Sequence, residues 1–482
     1  MIALLSALLC AAEPAYAVED VPAPRGVVAE VGGVAFAPDG RLVACTRRGD
    51  VWMIDVERGK WTRFASGLHE PLGVLAGAPG EVFAADRASL VRLADTDGDG
   101  AADVHESLTE AWGLSGNYHE YAFGPVRDAR GDFFVGLGCG SDLKGIFDVT
   151  RGAVSPLGRT GRMFSAVPYR GWIVKVTPGG AMTPFAKGVR EPFGLRFSPD
   201  GELFASDNQG DWVGTSCLHH VREGGFHGHP SSLVWDPGFE GDPLATPVER
   251  LDAMRLRPAI LFPHGKLCNS PGQPIWDTTE GGFGPFAGQV FLGSLTDEAI
   301  LRVALEKVGG EWQGAAFRFI EGGGLRRGCG RLAWAPDRRT LYVGQTLRGW
   351  GAGEGIQRVT WSGRVPFEMK SMSLGRRGFD LSFTAPVDAA SASDPAAYSL
   401  QRYRYHYWRP YGSPEVDTQP VRVAAARVSP DGLTVSLELA EPPVAERVYE
   451  LHARGVVAAA AGGGGAPLEH PDAWYTVNRL RD

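Results

Sequence analysis

The sequence predicts an all-β fold: a six-bladed β-propeller over residues 25–362, followed by an immunoglobulin-like β-sandwich over residues 365–482. Three observations predict it. Glycine and proline are abundant, 66 and 34 in 482 residues, yet aromatics are plentiful, with 13 Trp and 23 Phe. Disorder lacks the aromatics and collagen needs a strict period, so many short strands and tight turns remain. A hairpin phrase recurs six times between residues 33 and 345, and after Trp361 it gives way to alternating apolar and polar residues.

The phrase is a small residue, a short apolar run, a Pro-Asp-Gly or equivalent turn, then a second apolar run. It runs from Gly33 through Pro38-Asp39-Gly40 to Ala44, and again from Leu72 through Pro79-Gly80 to Ala84. Tyr121–Val126 leads into Asp132–Val135, and Phe193 through Pro199-Asp200-Gly201 into Glu202–Ala205. A weaker copy is Ala287–Leu292 with Ala299–Val303; the last is Arg331–Asp337 with Thr340–Val343. Each copy reads as two antiparallel strands and a tight turn. One hairpin cannot bury its apolar faces alone, and repetition around an axis solves this while leaving only short edges. The uneven spacing puts long loops at several blades, where sites tend to lie.

Beyond Trp361, period-two strands are expected at 379–384, 421–423, 434–439 and 448–451, with a Pro-Asp-Gly turn at 430–432. Tyr403, Tyr405, Tyr407, Trp408 and Tyr411 form an aromatic cluster, expected to pack on the propeller or to offer a sugar-stacking platform. Phe383–Asp388 with Asp394–Leu400 resembles the bacterial immunoglobulin-like modules appended to exported enzymes.

The opening segment Ile2–Ala12 is apolar, and Ala15-Tyr16-Ala17 has small-x-small spacing, so a signal peptide over residues 1–17 is expected. No later stretch reaches the length of a membrane span. The expected compartment is the periplasm or the exterior. A net charge of −8 argues against a nucleic-acid partner. After the leader five cysteines remain, an odd number, with no C-x-x-C-H for haem and no paired C-x-x-C for a zinc ribbon.

The most informative stretch is Val189-Arg-Glu-Pro-Phe-Gly-Leu through Ser206-Asp-Asn-Gln-Gly-Asp211, followed by Gly224-Gly-Phe-His-Gly-His-Pro230. Together they resemble, in words, order and spacing, the soluble glucose and sorbosone dehydrogenases that use pyrroloquinoline quinone (PQQ). They also resemble a planctomycete-type dehydrogenase-like subgroup. The resemblance covers roughly residues 30–360. It implies an oxidoreductase that takes a sugar or aldose as substrate, PQQ and calcium as cofactors, and an electron-acceptor protein as partner.

In that comparison His119 and Glu120 stand for a general base and its orienting carboxylate, and Arg190 for a cofactor-contacting cation. Asn208, Gln209, Arg327 and Arg331 complete the expected cofactor contacts, and Asp207 and Gly210 a calcium contact. The sequence departs from the pattern at three places. The histidine slot eight residues before Gly124 holds Gly116, the Arg-Asn pair is Arg190-Glu191, and a lysine position falls near Thr296. His219, His220, His227 and His229 crowd the next loop and could hold zinc or copper. Separately, Asp95, Asp97, Asp99 and Asp103 with interleaved glycines match an oxygen-only calcium loop without the closing glutamate of an EF-hand. The alternative is a carbohydrate- or protein-binding propeller that has lost the quinone site; a calcium-dependent lactonase is a third reading.

Overall fold

The computed structural model describes residues 13–141, 149–157, 162–346, 353–460 and 465–482. Sheets follow one another along the chain, each an antiparallel meander. The first is Val31–Phe36, Leu42–Thr46, Val51–Asp55 and Lys60–Ala65; the second is Val74–Ala76, Glu81–Ala85, Leu90–Ala94 and Val104–Thr109. The third is Ala122–Arg127, Phe133–Leu137, Trp172–Val176 and Met182–Lys187; the fourth is Gly194–Phe197, Leu203–Asp207, Ser216–Val221 and Ile260–Phe262. The fifth opens with Ile275–Trp276, Val290–Gly293, Ala299–Val308 and Glu311–Glu321. The sixth contains Cys329–Trp334, Thr340–Gln345 and Gly355–Trp361, with Tyr16–Val21 as its outer strand.

The first strands of the first four sheets lie side by side, the fifth meets the sixth through Val290–Gly293, and Cys329–Trp334 returns beside Val31–Phe36, giving a propeller-like ring. The small residue of the recurring phrase explains the close approach. A Cβ on Gly33 would sit 2.6 Å from the Gly73 Cα, and one on Gly73 would sit 1.9 Å from the Gly124 carbonyl oxygen. Only glycine lets these backbones meet. Between sheets the apolar faces interlock: Val43, Met53 and Phe64 of the first pack on Val74, Val82 and Val91 of the second. Each such side chain contributes about 1.5–3 kcal/mol on burial.

Two expectations shift. The fifth phrase is offset by one strand, because Ala287–Leu292 and Ala299–Val303 fall on the second and third strands; the innermost is the short Ile275–Trp276. The ring also begins before residue 25. Tyr16 pairs with Trp361 and Ala17 with Thr360. Tyr16 donates its hydroxyl to the Phe283 carbonyl at 3.1 Å and its ring lies 4.6 Å from Phe319. A leader cut after Ala17 would therefore remove part of a packed strand.

The fifth sheet does not stop at the ring. Gly314–Ala316 pair with Trp474–Thr476, and the sheet continues through Arg447–His452, Ser399–Arg404 and Val416–Pro420. A second sheet, Met369–Leu374, Gly378–Phe383, Thr434–Leu439 and Val423–Val428, faces that extension. Phe379, Leu381, Val435 and Leu437 on one side meet Tyr449, Leu451, Tyr475 and Val477 on the other. No helix among the described residues is long and apolar enough to cross a membrane.

Candidate functional site

Loops from the third, fourth and fifth sheets converge on a cavity of about 220 Å³ lined by His119, Arg190, Glu191, Asn208, Gln209 and Thr296, with Tyr411 arriving from the C-terminal region. The framework is Asp207, at the end of Leu203–Asp207. Its carboxylate accepts the main-chain N–H groups of Arg190 at 2.8 Å, Glu191 at 2.7 Å and Asn208 at 2.9 Å. One buried carboxylate thus fixes the backbone of three cavity residues, a charge-assisted arrangement.

His119 is buried, with its Nδ1 3.0 Å from the Cys139 carbonyl oxygen and its Nε2 3.3 Å from a Glu191 carboxylate oxygen. A carbonyl only accepts, so Nδ1 carries a proton. The second nitrogen faces a Glu191 carboxylate oxygen across 3.3 Å. That is an acid–base pair at the cavity wall. Arg190 sits beside it: its Nε is 3.2 Å from Asp211 and its Nη1 3.9 Å from Glu191. Burial would lower the Arg190 pKa, but Asp211 and Glu191 reverse this and raise it. The Asn208 side chain is buried, and neither its nitrogen nor its oxygen has a hydrogen-bond partner among the described residues. An amide so placed can both donate to and accept from a ligand.

Behind Arg190 lies a second layer. His229 Nε2 is 3.4 Å from Asp211, and its Nδ1 meets the Ser231 hydroxyl at 2.9 Å. Burial pulls the His229 pKa down, but the Cys139 sulfur and the Asp211 carboxylate raise it to about 10. Burial pushes the Asp211 carboxyl up; His229 and Arg190 nonetheless hold it well below the usual range.

Of the residues expected at the site, His119, Arg190, Asn208 and Gln209 line the cavity. Glu120 does not. It is fully buried and accepts from the Ser115 N–H at 2.7 Å and hydroxyl at 2.8 Å, with Arg170 4.0 Å away. The carboxylate beside His119 is Glu191 instead. Arg327 is half exposed near Glu298, on a different cavity. Arg331 is buried and donates to the carbonyls of Gly32, Leu72, Phe193 and Gly330 at 2.6–3.0 Å, tying four sheets together. Asp207 is committed to the main chain, and the Gly210 carbonyl accepts from Gly412 at 2.9 Å and Val213 at 3.2 Å. Neither is offered to a cation.

The four histidines separate. His220 reaches Glu202 at 3.1 Å, His229 serves Asp211, and the His219 and His227 rings face each other at 4.8 Å. Among the described residues, the grouping of three metal-capable side chains is Asp95, Asp97 and Asp99, on the turn after Leu90–Ala94. Asp103 accepts from the Thr96 hydroxyl at 2.7 Å. Cys45, Cys139, Cys217, Cys268 and Cys329 are all free and buried.

No family model matches the chain, and no curated protein matches it. Solved structures do. A glucose dehydrogenase is 16% identical over 72% of this chain and 99% of its own, with a TM-score of 0.50. A putative oxidoreductase (glucose dehydrogenase) from Thermus thermophilus is 22% identical over 71% of this chain and 99% of its own, TM-score 0.49. The PQQ-bound aldose sugar dehydrogenase of Streptomyces coelicolor is 18% identical over 72% and 99%, TM-score 0.46. At these identities the first likeness establishes a shared fold.

Proposed function

We propose that this chain binds a sugar at the mouth of a six-bladed ring and moves a hydroxyl proton through His119, the acid–base half of a sugar oxidoreductase. The observation that carries the reading is the buried His119–Glu191 pair on the wall of a cavity that also holds the unpartnered Asn208 amide. With Nδ1 protonated and Glu191 ionised, His119 Nε2 keeps its lone pair at the cavity wall, and the Glu191 carboxylate 3.3 Å away favours a proton arriving there. Nε2 can take the proton of a sugar hydroxyl while the Cys139 carbonyl steadies the resulting imidazolium. Asn208 can donate to one hydroxyl and accept from another. The glucose dehydrogenase that shares the fold lends the substrate class.

The quinone implied by the sequence resemblance is a tricarboxylate, and the residues present do not fit it. Arg190 is already met by Asp211 and Glu191, Glu191 adds negative charge to the wall, and Arg327 and Arg331 lie outside the cavity. This charge balance favours a second reading, a carbohydrate-binding propeller that has lost redox turnover. We read residues 365–482 as an immunoglobulin-like sandwich, the apolar opening segment as a signal for export, and Asp95, Asp97 and Asp99 as ligands of a calcium that stiffens their turn.

The test is to mix purified protein with PQQ and calcium, offer a panel of aldoses and sugar acids with an artificial electron acceptor, and follow binding in parallel by ligand-observed NMR. Dye reduction that disappears in His119→Ala supports oxidation. Sugar binding without dye reduction selects the second reading. Neither binding nor reduction with any sugar defeats the proposal.

A further inference from the structure

The wall opposite His119 comes from the other end of the chain. Beyond Ser399–Arg404, the segment 405–414 leaves the sandwich and lies on the loop that follows Asp207. Trp212 donates its N–H to the Trp408 carbonyl at 3.0 Å, Gly412 to Gly210 at 2.9 Å and Ser413 to Gly214 at 2.8 Å. Tyr407 donates its hydroxyl to the Gly228 carbonyl at 2.6 Å. Tyr405, Tyr407 and Trp408 of this segment are half-buried, and Tyr403 on the preceding strand is fully covered. Tyr411 is the exception: it is 52% exposed and lines the cavity.

Two guanidinium groups lie over its ring, Arg162 at 4.5 Å and Arg190 at 5.5 Å from the centroid. They differ in charge balance. Arg190 has Asp211 and Glu191 beside it. Arg162 is exposed, also lines the cavity, and forms no ion pair with any described residue. Beside the His119–Glu191 pair there is thus an exposed guanidinium that meets no described carboxylate, resting on a tyrosine ring that is itself half exposed. A planar guanidinium matches a carboxylate in bidentate fashion. One unmatched cation suits a ligand with one carboxylate, whereas a tricarboxylate leaves two charges unmet near Glu191.

Resting on the reading that the cavity binds a sugar, we infer that its ligand is a sugar carrying a single carboxylate, a uronate or related sugar acid. Its carboxylate lies on Arg162, and its ring on the part of Tyr411 that the two guanidinium groups leave exposed. The C-terminal region is then part of the site, and Tyr411 and Arg162 set specificity.

The test is a titration of the full chain with glucuronate and with glucose at low ionic strength, followed by calorimetry or ligand-observed NMR. Glucuronate is expected to bind about tenfold more tightly, the ratio of one charge-assisted contact. Arg162→Gln brings the two sugars to within about twofold. Tyr411→Ala weakens both, and Tyr411→Phe restores them because the ring face is kept. Equal affinity for the two sugars, or a preference that survives Arg162→Gln, overturns the assignment while leaving sugar binding intact. Acetate that competes as well as glucuronate also overturns it, showing only an adventitious anion site. Absence of binding by either sugar defeats the underlying reading as well.

Discussion

His119 and its surroundings show how neighbouring carboxylates acquire different tasks. Glu120 spends both oxygens on Ser115, near Arg170, and is shut away from the cavity. Glu191 is brought to His119 by a backbone that Asp207 pins through three N–H groups. Behind them, His229 and Asp211 make a pH-dependent support. The His229 pKa is raised to about 10, so its stabilising protonation is complete below its ordinary value of about 6.5 and is lost as pH rises towards the folded value. The melting temperature is expected to fall between pH 7 and pH 10, and His229→Gln to start lower and fall less. Scanning fluorimetry across pH checks this; parallel curves for the two proteins would refute it. Arg190, Asn208 and Gln209 reach the cavity together because one linear motif carries them, whereas His119 stands three residues beyond the slot that Gly116 fills. Glu120 misleads, since adjacency along the chain does not fix where side chains point. Arg331 misleads differently: a guanidinium feeding four carbonyls and one awaiting a ligand look alike until burial is known.

Among the strands, the recurring phrase identifies the hairpins because its small residue marks where inner backbones meet, as at Gly33 and Gly73. It fails at the fifth sheet, whose inner strand Ile275–Trp276 is too short to carry a pattern. It also gives no sign that Tyr16–Val21 closes the sixth sheet, since the partner strand lies more than three hundred residues on. A chain beginning at Val18 loses Tyr16, its pairing with Trp361 and its ring contact with Phe319. Compared with a chain beginning at Glu13, it is expected to melt about 4 °C lower, from roughly 2 kcal/mol of lost ring burial. Calorimetry of the two chains decides this, and equal melting would show that the first residues of the strand are dispensable.

The molecule as a whole joins its two parts twice. The fifth sheet runs on into the sandwich through Gly314–Ala316, and the segment 405–414 crosses back to the ring. The second join brings Tyr411 to a cavity whose other walls come from residues more than a hundred positions earlier. No local pattern links Tyr411 to His119, so the sequence left the aromatic cluster open between packing and sugar stacking. The structure divides it, burying Tyr403 and leaving Tyr411 at the mouth. The most direct measurement is a crystal structure after soaking with glucuronate. A sugar ring is expected on Tyr411, with a hydroxyl in hydrogen-bond reach of His119 Nε2 and Asn208. A sugar seated elsewhere, such as the cavity between Arg255 and Tyr405, with the mouth left empty, would contradict this expectation.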